Sequence, residues 1–189
     1  MDISKIKQNL KLFVVACFLF GITNVNAQDK YFTTNGKITF ESSVPSFEEV
    51  KATNSKVSAV LKSDGSFASL VLIKGFRFKI ALMEEHFNEN YIESQKFPKS
   101  SFSGKIKDFS IEKLTSEYQE FDLEGKLTLR KISQPITTKC MVKIDGNKIS
   151  LKTDFKTKPE LYGIEIPSIV RKKIAENVDV SAIFELIQK

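Results

Sequence analysis

Few side chains in this sequence are equipped for catalysis or metal binding. His86 is the single histidine in 189 residues. It stands beside Glu85 and three residues before Glu89, a set that offers weak metal ligation at best. A structural zinc site wants four good donors, usually Cys or His. A serine nucleophile would need His86 as its base, and no G-x-S-x-G elbow occurs. The glycine patterns of dinucleotide and phosphate loops are absent as well. Glu48-Glu49 and Glu84-Glu85 are adjacent acids. Neighbours on a strand point to opposite faces and neighbours on a helix are splayed, so neither pair can share a proton. Cys140 shares its parity with apolar residues and reads as a small buried hydrophobe, since reactive thiols need an accessible, electropositive setting. The expectation is a non-enzymatic protein with no catalytic residue, no metal site and no cofactor.

The first 27 residues read as a secretory signal peptide. Lys5, Lys7 and Lys11 precede an uncharged apolar run over residues 12–22. A membrane-spanning helix takes about 20 such residues, so this run is too short. Val25 and Ala27 suit the peptidase, which places the mature domain at residues 28–189. A rival reading, lipidation of Cys17 after Val14-Val15-Ala16, is disfavoured by the bulky Phe18, Leu19 and Phe20 that follow. Export lowers the net charge from +6 to +4 and leaves Cys140 as the one cysteine. An internal disulfide is then excluded, and the fold must rest on its core. The charge is spread evenly, with no Arg-rich block, which argues against nucleic acid. It is compatible with transient contact with anionic lipid headgroups.

Period-two alternation dominates the mature chain. Ile38, Phe40 and Val44 share one parity. Two apolar runs flank the hairpin dipeptide Asp64-Gly65. In GFRFKIAL, Phe76, Phe78, Ile80 and Leu82 alternate with Arg77 and Lys79. The second half repeats the pattern: Leu123, Leu127 and Leu129; Ile136, Thr138, Cys140, Val142 and Ile144; Ile149, Leu151 and Phe155; Val178, Val180, Ala182, Phe184 and Leu186. About eight antiparallel strands follow, each with one dry face. Such a sheet closes as a barrel just wide enough for one slender ligand, or packs as a sandwich. Residues 83–93 and 167–176 are expected to be short helices. Thirteen Phe and four Tyr remain after residue 27, many on inward parities. As a cavity lining they would suit a long hydrocarbon better than a polar metabolite.

Two motifs add a resemblance. Lys96-Phe97-Pro98 followed by Phe102-Ser103-Gly104, and "LEGKLTLRKISQPI" from Leu123 to Ile136, resemble segments of the YceI-like family of exported lipid-binding proteins. Lys131 stands where that family often has glycine, and "ELYGIEIPSIV" is not a general family feature. The resemblance implies an all-β, eight-stranded antiparallel lipocalin-like barrel with one or two short helices. It implies a periplasmic carrier for a polyisoprenoid, quinone or other long-chain amphiphile, without catalytic residues. The expected tunnel wall is Phe76, Phe78, Leu82, Phe102, Leu127, Leu129, Phe155 and Phe184, with Phe87 and Tyr91 on a helical flap at its mouth. The alternative is an exported stress-response or interaction module with a filled core. A lipid hydrolase or isomerase is disfavoured by the shortage of bases. The sequence leaves the oligomeric state open, a dimer included.

Overall fold

The computed structural model describes residues 29–189; the expected leader, Cys17 and the cleavage point lie outside them. The described residues form strands β1 (Lys30–Ser43), β2 (Lys51–Lys62), β3 (Ser66–Leu72), β4 (Arg77–Phe78), β5 (Lys99–Ile106), β6 (Gln119–Leu129), β7 (Ile132–Asp145), β8 (Lys148–Thr157) and β9 (Ile174–Gln188). Their order is β1-β9-β8-β7-β6-β5-β3-β2, and β1 also pairs with β2. Eight antiparallel strands therefore close into a barrel, as expected, with the two-residue β4 added to β2. Closure leaves no long unpaired edge.

From β6 to β9 the registers run without a shift. The parity read from the sequence holds there: Cys140, Val142, Ile149, Leu151, Phe184 and Leu186 are all buried. Outward positions carry cross-strand ion pairs, such as Lys139–Asp122 at 2.6 Å and Lys156–Asp179 at 2.9 Å. These are exposed and contribute little to stability.

Three expectations need correction. The first strand starts at Lys30, not near Gly36. Its pairing with β2 slips on both sides of Gly36, a bulge that moves the inward set from Tyr31 to the opposite parity at the half-buried Ile38 and Phe40. The GFRFKIAL segment is not a long strand. β3 ends at Leu72, and the chain turns and pairs with β2 only at Ala52↔Phe78 and Thr53↔Arg77. It then enters helix α1 (Ala81–His86), continued by a π-helical turn over Phe87–Tyr91. Glu84 folds this helix back: its carboxylate accepts the Phe78 N–H at 3.1 Å and an Arg77 N–H at 3.0 Å. Finally, the second helix is a single turn, α2 (Ser168–Arg171), because Ile174 already belongs to β9.

The two ends of the barrel differ. One carries the Asp64-Gly65 and Asp145–Lys148 turns and the connection over residues 107–118, and the interior there is filled by Val57, Leu61, Ile106, Val142, Leu151 and Leu186, each fully buried. The other carries residues 44–50, 73–98 and 158–173, plus the tight Arg130-Lys131 turn. Both of those turn residues have positive φ, 48° and 66°, as a two-residue hairpin turn demands. The buried Asn54 helps join β2 to the end of β3 here, donating to the Leu72 carbonyl at 2.9 Å.

Candidate functional site

The end that carries residues 44–50, 73–98 and 158–173 encloses a cavity of about 470 Å³. It exists because several inward positions are small: Ser69, Thr138, Thr153 and Ala182 at mid-barrel, and Ser100 near the start of β5. Large side chains resume above them. Phe40 makes ring contacts with Phe76, Phe78 and Phe87 at centroid distances of 5.1, 5.7 and 5.3 Å. Phe87 joins this cluster to a second one, in which Leu127, Leu129 and Tyr91 pack against Ile73, Ile92, Tyr162 and Ile164.

Four hydroxyls in the wall are already bonded to the backbone, and Thr157 donates to the Tyr162 hydroxyl at 3.2 Å. Ser42 donates to the Ala175 carbonyl at 2.8 Å, Ser100 to Thr128 at 2.9 Å, Thr138 to Asp154 at 2.7 Å and Thr153 to Lys139 at 2.8 Å. A buried donor that already has a partner needs none from a ligand. Each threonine then offers its methyl group to the interior. The charged residues of the lining, Glu48 and Lys173, are exposed at the mouth, as is His86.

Arg130 holds the connections around that mouth. Its guanidinium donates to the Gly163 carbonyl and to the Glu93 carboxylate, and lies 5.2 Å from the Phe97 ring centroid. One side chain thus ties the β6–β7 turn to the 92–98 segment and to the 158–167 segment. The stretch from His86 to Phe102 is architecture by this reading: a flap, an anchored return and the start of β5.

Of the ten residues expected from the sequence, Phe76, Phe78, Phe87, Tyr91, Phe102, Leu127, Leu129, Phe155 and Phe184 line the cavity. Leu82 does not. It lies on the outer side of α1, 57% exposed, because the strand that would have turned it inward ends at Phe78. Sequence reasoning also passed over Tyr162, Ile164 and Ile166, which alternate with period two in "YGIEI" and cover the cavity from the β8–β9 connection. Phe67, between two small residues on β3, was missed too.

Among the described residues no group of three or more His, Cys, Asp or Glu is placed to hold a metal ion. Zinc is therefore expected to leave the melting temperature unchanged. A rise of several degrees that His86→Ala removes would reinstate a metal site. Cys140 lies outside the cavity wall, fully buried. Burial, then the nearby Asp122 and Glu120 charges, push its thiol pKa up to about 12. Since the thiolate is the nucleophile, labelling at about pH 8 should be slow in the native protein and stoichiometric in denaturant. Rapid native labelling would show that β7 opens readily.

No helix among the described residues is long and apolar enough to cross a membrane. Comparison with curated proteins gave no match. Solved structures share the fold at low identity. A polyisoprenoid binding domain from Saccharophagus degradans, implicated in plant cell wall breakdown, aligns at TM-score 0.73 and 13% identity over 85% of this chain and 98% of its own. Burkholderia cenocepacia BcnA aligns at 0.66 and 13%, covering 80% and 95%. The Campylobacter jejuni YCEI protein aligns at 0.62 and 15%, covering 77% and 89%. The sequence signature of the YceI-like domain spans residues 22–186, and with the lipocalin-like barrel it accompanies, this chain belongs to the YceI-like family.

Proposed function

We propose that this chain is an exported, non-catalytic carrier that holds a polyisoprenoid or similar amphiphile, a quinone included, in its barrel, in the periplasm. The observation that carries the reading is the wall itself: predominantly hydrocarbon, with the hydroxyls of Ser42, Ser100, Thr138 and Thr153 bonded to the backbone and its charges at the rim. Membership of the YceI-like family and the polyisoprenoid binding domain from Saccharophagus degradans support the ligand class, and the leader pattern of residues 1–27 supports export. An interaction module with a filled core would have no use for a cavity of about 470 Å³.

Binding energy would come from burying chain carbons. At about 0.8 kcal/mol per carbon, one isoprene unit offers about 4 kcal/mol gross, part of which ordering and association remove. The test is mass spectrometry of lipid extracted from natively purified protein, with saturable binding of a fluorescent prenyl probe. One amphiphile per chain is expected. No co-purified lipid and no saturable binding would overturn the reading.

A further inference from the structure

The cavity stops halfway down the barrel, and three phenylalanines stop it. The Phe67 ring packs at 5.3 Å from Phe184 and 6.1 Å from Phe102, centroid to centroid. Phe184 and Phe102 lie where they do because glycines make room. A Cβ on Gly36 would collide with the Phe184 ring, and one on Gly125 would come within 2.5 Å of the Phe102 Cζ. In the ladder Phe67 is level with Gly104 and Gly125, and Phe102 with Leu127. Below the rings Val57, Leu61, Ile106 and Cys140 are fully buried and touch no part of the cavity.

We infer that Phe67, Phe102 and Phe184 form a floor that sets the length of hydrocarbon the protein encloses, at about three isoprene units. The inference rests on the carrier reading. About 470 Å³, at about 30 Å³ for each water-sized group, holds about sixteen non-hydrogen atoms, and three isoprene units supply fifteen carbons. A longer chain would leave its remaining units in water beyond the mouth, where they add nothing to affinity. Prenyl and straight acyl chains share this chemistry, and a length limit applies to both.

The experiment is a chain-length series on delipidated protein: prenyl alcohols of two, three, four and nine isoprene units, alongside straight-chain alcohols of matched carbon number. In the wild type, affinity should rise about tenfold or more from two units to three, then stay level. A plateau in both series supports a limit on length; a plateau in the prenyl series alone supports it for methyl-branched chains. Phe67→Ala removes six ring carbons, room for about one further isoprene unit. It should move the plateau from three units to four. Should that variant fail to fold, Phe67→Leu removes less and should still narrow the preference for three units over four. Affinity that keeps climbing to nine units in the wild type would overturn the floor while leaving the carrier reading intact. So would a plateau that neither variant moves. Absence of binding at every length would instead overturn the carrier reading.

Discussion

Leu127→Trp and Leu129→Trp are each expected to lower ligand loading at least about tenfold while leaving the fold intact. Both residues sit on β6, partly buried, with their side chains on the cavity. Replacing Leu by Trp adds six non-hydrogen atoms, about 180 Å³ at about 30 Å³ each. That displaces about one isoprene unit, or about 4 kcal/mol of gross burial, and tenfold in affinity needs only about 1.4 kcal/mol. In a filled interior the same substitutions would cost about 1–3 kcal/mol of stability by overpacking. In a cavity the ring has somewhere to go. The measurement pairs lipid bound per chain with thermal unfolding of the delipidated protein, because bound ligand itself raises stability. Normal loading in both variants would mean the ligand lies elsewhere. Failure of both to fold would mean the interior is solid at β6.

How far the sequence was legible follows from where its period-two pattern is interrupted. On β6 to β9 nothing shifts the register, so Leu127, Leu129, Phe155 and Phe184 could be assigned to the interior directly. At β1 the bulge around Gly36 flips the parity; a glycine inside a strand marks such a bulge, but with the strand begun at Gly36 the signal fell at its edge. At Leu82 the alternation continued on paper past the point where pairing stops. What ended the strand was a tertiary event, the exhaustion of β3 and the capping of Phe78 by Glu84, and local propensity says little about such events. The π-helical turn at Phe87–Tyr91 still points both aromatic residues at the cavity, so those two assignments survived a shifted helix start.

Whether the barrel is hollow was not legible at all. An inward Phe looks the same in a packed core and in a cavity wall. The difference lies in the small inward residues at mid-barrel and in the room that glycines make for rings, both of which need the register to be known. Tyr162, Ile164 and Ile166 were hidden for another reason: they lie in a connection, and connections are not expected to supply a wall.

The glycines of the β5–β6 pair carry the second large effect. Gly104 and Gly125 are register partners, and Gly125 has φ outside the left-handed region, so an ordinary residue could adopt its backbone. Replacing such a glycine by alanine normally stabilises a protein by about 0.4–1 kcal/mol, through the unfolded state. Here the opposite is expected. The added Cβ would lie 2.5 Å from Phe102 Cζ, 2.6 Å from the Ser103 carbonyl oxygen and 2.7 Å from Gly104 Cα. Two of those three atoms are backbone, and neither can retreat without opening the ladder between β5 and β6. Gly125→Ala should therefore cost about 3 kcal/mol, at the upper end of overpacking, or about 6–12 °C in melting temperature at this size. Gly146→Ala is the comparison. Its φ of 58° strains an alanine, but nothing lies within 4 Å of the new Cβ, so its cost should stay near 1–2 kcal/mol. Phe102→Leu, made in the Gly125→Ala background, relieves the contact with the ring and leaves the backbone contacts, so it should restore only part of the loss. Melting temperatures of the delipidated single and double variants test this. A Gly125→Ala protein as stable as the wild type would mean that the two strands do not approach as closely as the Gly104–Gly125 pairing requires, and Phe102 would lose the bed that holds it across the barrel.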